Sequence, residues 1–290
     1  MGEDFAIELL LASVIAKGHV LIVDVPGVGK TTLAKSMAKI LGLDFNRIQF
    51  TNDILPADIL GGSIYNSAEG KFSFSPGPYS RISCWQMKST GAYSQPIGFP
   101  ASHGRRLRRS RRCELSAVPL FTVIATQNPI DFDSTNPLPE AQLDRFLTSI
   151  KLGYPDIDDK LHLLNDYGDS VRHDPAAVLT KESVTVLREA CEEVYLHEDL
   201  ARYIIEISRA SREDPQIKLG ISPRGSMHLA MACKAFALVK GRHQVIAEDV
   251  QRLIPPVWDH RILPRHGRDN DSIHAHELLQ TILENIAVPR

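Results

Sequence analysis

The sequence predicts an α/β fold in which helices sandwich a parallel sheet, followed by an all-helical domain. Apolar strand patterns alternate with helix patterns up to about residue 154, beginning with the run Val20–Val23 and including Val118–Thr126. Beyond that point the strand patterns nearly stop and helix patterns follow one another. Such alternation is typical of a parallel sheet. The change of pattern near Tyr154–Asp156 therefore predicts two domains, residues 1–154 and 155–290.

Each element has its own local pattern. The unbroken apolar segment Asp4–Ala16 predicts a helix, and Phe45–Phe50 alternates apolar and polar residues as a strand does. Ser63–Tyr65 and Lys71–Ser75 flank a turn-forming sequence and predict a β-hairpin. The other predicted helices are Thr32–Leu41, Leu55–Leu60, Leu138–Phe146, Ile157–Tyr167, Lys181–Val194, Glu198–Arg212, Ser222–Val239, Ala247–Asp259 and Ile273–Asn285.

The composition is that of an ordinary globular protein. Among 290 residues, 43% are hydrophobic and the net charge is −2, which gives no general attraction to nucleic acid. No apolar run reaches the length of a membrane span, and the N-terminus does not have the pattern of a secretion signal. The four cysteines lack metal-ligand spacing. These observations predict a cytoplasmic protein without structural zinc or disulfides.

A glycine-rich loop joins the first predicted strand to the next helix. Glycines at this point let backbone N–H groups curl around phosphate oxygens, and the helix start and the lysine both favour an anion. The threonine that follows the lysine would hold Mg²⁺ through its hydroxyl group. The predicted ATP and Mg²⁺ site consists of Asp24, Val25, Pro26, Gly27, Val28, Gly29, Lys30, Thr31 and Thr32, with Thr31 as the metal ligand. The alternative is a glycine-rich turn that binds no phosphate and is followed by an unrelated lysine. It is allowed because Asp24 occupies the position where the general pattern has glycine.

Asn128 directly follows the predicted strand Val118–Thr126 and its neighbour Gln127. In an open parallel sheet, functional groups lie at the carboxyl ends of strands. Asn128 could therefore face the terminal phosphate and position water. Equally, it could only cap a turn before Pro129.

The ordered set of motifs resembles the MoxR branch of the AAA+ ATPases. The matching segments are 18–31, 47–51, 55–58, 124–129, 137–146 and 221–224, and the resemblance as a whole extends over nearly the entire chain except residues 79–118. That family shares the aspartate at the first position of the loop. The resemblance implies a P-loop AAA+ sheet domain and an all-α lid domain.

Catalytic roles follow from the same resemblance. It implies that Lys30 binds phosphate, that Asn128 is the sensor-1 residue, and that Arg224 is the sensor-2 arginine of the lid. Arg145 corresponds to the arginine finger that reaches the nucleotide of a neighbouring subunit, which implies a ring, in this family a hexamer. Taken singly, Arg145 and Arg224 could also be surface ion-pair residues. Family members act as ATP-driven chaperones, often with von Willebrand-type adaptor proteins.

One family motif is missing from the printed sequence. The family has a strand ending in Asp-Glu before the sensor-1 strand, where the pair holds Mg²⁺ and polarises the attacking water. Residues 79–118 contain a single acidic residue, Glu114, and the basic run Arg105–Arg112. The run could be a solvated loop or a nucleic-acid patch. We expect this stretch to be poorly packed and a central strand of the sheet to be lost.

We favour a shifted reading frame as the origin of this stretch. Codons permitted for these residues, read in the frame that starts on the third base of the Pro78 codon, spell I-F-A-N-L-L-L-A-D-E-I-N-R in place of Tyr79–Thr90. Trp85-Gln86 forces the alanine and Met87-Lys88 forces the glutamate of that string. A second shift across Pro96–Arg106 permits Q-S-A-F-L-x-x-M-E-E, which resembles the family's next helix. An intact gene encoding Arg105–Arg112 in frame would exclude this hypothesis.

Three functions remain open at this point. The first is an ATP-driven subunit that remodels or matures partner proteins. The second is a nucleotide-binding protein deficient in hydrolysis, because Asp-Glu is absent. The third, supported only by Arg105–Arg112, is a nucleic-acid ATPase.

Overall fold

The computed structural model describes residues 3–50, 61–66, 71–76, 84–89, 120–128, 138–154, 157, 160–161, 175–265 and 271–289. The chain divides into two compact units that are interleaved along the sequence. One comprises Met1–Val23, Leu138–Leu152 and Val184–Arg290, and the other comprises Asp24–Pro137 and Gly153–Ser183. The predicted cut near Tyr154–Asp156 stays a prediction.

The described strands confirm most of the predicted ones. They are β1 (Val20–Val23), β2 (Phe45–Phe50), β3 (Gly61–Asn66), β4 (Lys71–Pro76), β5 (Cys84–Ser89), β6 (Thr122–Gln127), β7 (Thr148–Ile150), β8 (Ile217–Leu219) and β9 (Leu263–Pro264). Five of them form a sheet in the order β2-β5-β6-β1-β7. Strand β5 pairs in parallel with both β2 and β6, and β1 pairs in parallel with β7. The predicted parallel α/β sheet is therefore confirmed.

The helices also follow the sequence patterns. They are α1 (Glu3–Ile15), α2 (Lys30–Ile40), α3 (Glu140–Leu143), α4 (Lys181–Glu193), α5 (Glu198–Glu213), α6 (Pro223–Val239), α7 (Ala247–Trp258), a 3₁₀ turn at Asp259–Arg261, and α8 (Asp271–Asn285). The long helices start and end within two residues of their predicted bounds. The predicted helix Leu55–Leu60 and most of Ile157–Tyr167 lie outside the described residues.

Strand β5 corrects one expectation. We expected residues 79–118 to leave the sheet without a central strand, yet Cys84–Ser89 forms β5 between β2 and β6. The register pairs Met87 with Ala125 and Lys88 with Thr126. A strand needs only backbone hydrogen bonds to its two neighbours, which the printed residues can make. The rest of residues 79–118, Arg105–Arg112 included, lies outside the described residues.

The hairpin is confirmed, with strands slightly longer than predicted. Strands β3 and β4 pair antiparallel over their full lengths, from Gly61 opposite Pro76 to Asn66 opposite Lys71. Tyr65 on β3 is exposed. The hairpin forms a two-stranded sheet of its own.

Helix α1 packs against α6 in the unit that contains most of the C-terminal helices. The Phe5 and Phe236 rings meet edge to face with centroids 5.9 Å apart, and Lys240 pairs with Glu8 at 2.6 Å. On α1, Ala6, Leu9, Leu10, Ala12, Val14 and Ile15 are buried. Burial of this nearly continuous apolar surface is what makes α1 part of a core rather than a surface helix.

His19 precedes β1 and is buried. Burial, and secondarily the charge of Arg188, lower the pKa of His19 to about 4. The imidazole is therefore neutral at physiological pH. No group of three or more His, Cys, Asp or Glu side chains that could hold a metal ion occurs within the described ranges.

Candidate functional site

The glycine-rich loop runs from the end of β1 to the start of α2. Its two glycines have left-handed backbone, with φ of 89° at Gly27 and 81° at Gly29. Side chains rarely adopt this conformation, so the loop depends on glycine at both positions. A Cβ atom at either glycine would meet no atom of the described residues within 4 Å, so the backbone is uncrowded at both positions.

The Asp24 side chain stabilises the start of this loop through hydrogen bonds. Its Oδ1 accepts a hydrogen bond from the backbone N–H of Val25 at 2.8 Å, and its Oδ2 accepts one from Gly153 N–H at 2.7 Å. The backbone N–H of Asp24 in turn donates to the carbonyl of Gln127 at 3.2 Å. The carboxylate thus satisfies two backbone donors that glycine, the usual residue here, would leave to other partners.

Lys30 lies over the loop that precedes it. Its Nζ donates to the carbonyl oxygen of Val25 at 2.7 Å and to that of Asp24. Helix α2 begins at this residue, its N-cap Gly29 supplies no side-chain cap, and its first turn has no acidic residue. The positive end of the helix dipole and the ammonium group therefore coincide, which favours an anion.

Thr31 and Thr32 are exposed in the first turn of α2. A threonine hydroxyl directly after the phosphate-binding lysine suits Mg²⁺, which prefers oxygen ligands and is shared with substrate phosphates. The open glycine loop, the ammonium group and this hydroxyl together fit a magnesium-bound triphosphate. When bound, Mg²⁺ would supply charge neutralisation at the phosphates.

Asn128 directly follows strand β6, whose last residue is hydrogen-bonded to this loop. The carbonyl of the preceding residue, Gln127, accepts the hydrogen bond from Asp24 N–H, so the polar side chain follows a residue tied directly to the loop. Asn128 is half-buried. The sensor-1 role of Asn128 remains a prediction and is part of the proposal below.

Arg145 and Arg224 belong to the other compact unit. Arg145 follows α3 and is half-buried, and its guanidinium makes no hydrogen bond or ion pair to the other residues that the structure describes. Arg224, in the first turn of α6, donates from Nη1 to Oδ2 of Asp144 at 3.3 Å. One of the two arginines is thus an ion-pair residue within the chain, as the simpler interpretation allowed.

Sequence reasoning missed Asp144. It lies directly before Arg145, and its carboxylate is the shared partner of Ser222, Arg224 and Arg261. An acidic residue that follows a short helix and pairs with two arginines distant in the sequence has no signature in the linear pattern. The nearest signal in the sequence was its position within the matching segment 137–146, directly before Arg145.

We predict that Asp24→Ala destabilises the chain by about 1–3 kcal/mol. The substitution removes the charged acceptor of two part-buried hydrogen bonds, from the N–H groups of Val25 and Gly153, and a hydrogen bond to a charged group contributes about 1.5–3 kcal/mol. Urea unfolding of the two proteins measures the difference. Asp44→Ala is the matched control, because Asp44 is exposed and its one ion pair among the described residues is with the exposed Lys181. Equal stability of Asp24→Ala and wild type would contradict the anchoring role.

The fold and the loop define a P-loop ATPase of the AAA class. Residues 19–148 match the ATPase family associated with various cellular activities, and residues 209–282 match the AAA lid domain. A crystal structure of a candidate ATPase from Cytophaga hutchinsonii superposes with a TM-score of 0.83 at 28% identity, covering 100% of this chain and 91% of that one.

Relatives narrow the class further. The chain is 38% identical to the Bacillus subtilis protein YeaC over 99% of this chain and 90% of that protein. It is 32% identical to the chaperone MoxR1 of Mycobacterium tuberculosis over 100% of this chain and 79% of that protein. The protein MoxR of Paracoccus denitrificans is 29% identical over 90% of this chain and 84% of its own length. The chain belongs to the MoxR family of AAA+ ATPases and is an ATPase by family.

Proposed function

We propose that this chain binds Mg-ATP in the loop Asp24–Thr32 and uses the nucleotide to remodel or mature partner proteins. The observation that carries the proposal is the loop itself. The loop combines two left-handed glycines, the Lys30 ammonium group and a helix start without a side-chain cap in one short backbone segment. The name of the relative MoxR1 as a chaperone supports the coupling to partner proteins.

The proposed catalytic residues divide between the two units. Lys30 binds phosphate, Thr31 holds Mg²⁺, and Asn128 positions water at the carboxyl end of β6. Arg224 reads the state of the nucleotide from the lid. Arg145 acts in trans on the nucleotide of a neighbouring subunit, which its lack of a described intrachain partner supports.

The proposed assembly is a hexameric ring. A finger in trans requires a neighbour, and the family resemblance gives six subunits. We propose von Willebrand-type adaptor proteins as partners and the cytoplasm as the compartment. Within the described residues, no helix combines the length and apolar character needed to cross a membrane.

We predict that Mg-ATPγS promotes assembly of the chain into hexamers. The protein concentration needed for half-maximal assembly should be at least tenfold higher for Arg145→Ala than for wild type. The guanidinium would bridge to the neighbouring nucleotide, and charged hydrogen bonds of this kind contribute about 1.5–3 kcal/mol. Mass photometry across a concentration series measures the assembly. Arg202→Ala is the matched control, since Arg202 is exposed and its one ion pair in the described part of the chain is with Glu198 on the same helix. Monomers at all concentrations, with nucleotide bound, would contradict the ring.

The remodelling step has a separate test. A purified von Willebrand-type protein should bind the ATPγS-loaded assembly and be released on exchange for ADP, as measured by surface plasmon resonance. Equal affinity in both nucleotide states would mean that the nucleotide does not control the partner, and the proposed coupling would be lost.

A second candidate function has its own observation. Strand β5 occupies the sheet between β2 and β6, but its residues are Cys84-Trp85-Gln86-Met87-Lys88-Ser89, with no carboxylate at the carboxyl end. A chain with the phosphate loop and without this acidic pair would bind ATP and hydrolyse it slowly. We propose that the protein as printed is in this state, and that its natural form carries the pair if the reading frame is shifted.

A further inference from the structure

The carboxylate of Asp144 is shared by three side chains of the same compact unit. Ser222 Oγ donates to Oδ1 at 3.0 Å, and Arg261 Nε lies 3.3 Å from the same oxygen. Arg224 Nη1 donates to Oδ2 at 3.3 Å. These contacts join the turn that carries Arg145 to the start of α6.

Two of these partners are fixed. Ser222 is the N-cap of α6, where its Oγ also accepts a hydrogen bond from Gly225 N–H at 3.1 Å. The Arg261 side chain is 2% exposed and also donates to the carbonyl oxygens of Val257, at 2.7 Å, and Phe146. Burial lowers the pKa of Arg261 to about 10, so the group stays charged at neutral pH and needs an anion beside it.

The third partner is loosely held. The Arg224 side chain is 51% exposed, against 23% for Asp144, and its one contact with the carboxylate is at the long end of the range for hydrogen bonds. An exposed ion pair of this kind contributes little, because water solvates both charges and the long side chain loses freedom. If Arg224 leaves, Asp144 keeps Arg261 and Ser222, so no buried charge is left alone.

We infer that Asp144 is a positioning residue that holds Arg224 in the lid while no nucleotide is bound and competes with the triphosphate for it. The inference rests on the proposed role of Arg224 in sensing nucleotide. Arg224 exchanges one anion, the carboxylate, for another, the phosphate tail. The same carboxylate remains bound to Arg261, so the turn of Arg145 keeps its place while Arg224 moves.

The test is a double-mutant cycle on affinity for Mg-ATPγS, measured by fluorescence titration of the full chain. Asp144→Asn keeps the shape and an acceptor oxygen for Ser222 but removes the charge that holds Arg224. We expect this variant to bind about two- to fivefold more tightly than wild type, in line with the strength of an exposed ion pair. In an Arg224→Ala background, the same substitution should leave the affinity unchanged.

Glu198→Gln is the control. It removes the carboxylate of an exposed ion pair in the same unit, the pair of Glu198 with Arg202. Its affinity should equal that of wild type. Unchanged or weaker binding by Asp144→Asn would overturn the inference, as would a gain that persists without Arg224. If wild type itself binds no Mg-ATPγS, the proposed function fails and the inference fails with it. Wild-type binding of Mg-ATPγS, with weaker binding by Lys30→Ala, shows that the proposed function holds even where the inference about Asp144 fails.

If Asp144→Asn lacks a cooperative thermal transition, it does not fold and cannot be used for the affinity measurement. A second measurement on wild type then tests the inference. The Nε resonance of Arg224 in wild type, assigned by comparison with Arg224→Lys, should shift when Mg-ATPγS saturates the chain. The resonance of Arg202, whose partner Glu198 is unaffected, should not shift. An unchanged Arg224 resonance at saturation would overturn the exchange.

Discussion

Replacing Lys30 with alanine is expected to weaken Mg-ATP binding by about 10- to 100-fold. The ammonium group already lies over the loop, donating to the carbonyl oxygens of Val25 and Asp24. A charged hydrogen bond to phosphate contributes about 1.5–3 kcal/mol, which corresponds to that range. Displacement of a fluorescent ATP analogue measures the affinity of both proteins.

Lys35→Ala is the matched control for Lys30→Ala. Lys35 lies on the same helix α2, is exposed, and changes the net charge by the same amount. We expect its affinity to stay within about twofold of wild type, since an exposed charge outside contact distance is screened by salt. Equal losses in the two variants would mean that Lys30 contributes only general charge, and the loop would not be the phosphate site.

Introducing Asp and Glu at the end of β5, as Met87→Asp with Lys88→Glu, is expected to raise ATP turnover by about 100-fold over the printed chain. The register pairs Lys88 with Thr126, so these positions lie at the carboxyl edge of the sheet, close in register to Asn128. Aspartate there would hold Mg²⁺ and glutamate would polarise water, and general-base catalysis contributes about 10²–10⁴-fold. Phosphate release at saturating ATP measures the turnover.

Met87→Asn with Lys88→Gln is the control for the acidic pair. It places side chains of the same shape at the same positions and supplies no carboxylate. We expect its turnover to remain at the level of the printed chain. Fast turnover by the printed chain, or equal turnover by the two double variants, would contradict the account of β5.

The reading-frame hypothesis has a direct test in the gene and in the intact mass of the natural protein. A natural sequence carrying Asp-Glu at the end of β5 is expected to turn over ATP at the rate of an ordinary family member. An uninterrupted frame through Arg105–Arg112 would exclude the shift and leave slow hydrolysis as the property of the chain.

The sequence predicted the elements whose patterns are local. Val20–Val23 is a strand because it is apolar and β-branched. Helix α2 begins directly after a glycine-rich loop, which separates it from that strand. Helix α6 begins where Ser222-Pro223 predicts a capped start, and the Ser222 hydroxyl accepts the capping hydrogen bond from Gly225 N–H. These features depend on neighbours in the chain, so the linear pattern contains them.

The rest depends on tertiary contacts. Strands β7, β8 and β9 span only two or three residues each, too few for any alternation to be read, and they form because a partner strand is present. Strand β5 forms from a stretch that we expected to pack poorly, since its neighbours β2 and β6 supply hydrogen-bonding edges. Asp144 was missed because its partners Arg224 and Arg261 lie far along the chain.

The central claim is that the backbone between β1 and α2 binds the phosphates of Mg-ATP. Isothermal titration calorimetry of the full chain with Mg-ATP tests it most directly. The account predicts saturable heat that fits a single site per chain, with an affinity about 10- to 100-fold weaker when Lys30 is replaced by alanine. Folded protein that gives no heat with Mg-ATP, or heat that persists unchanged in Lys30→Ala, would contradict it.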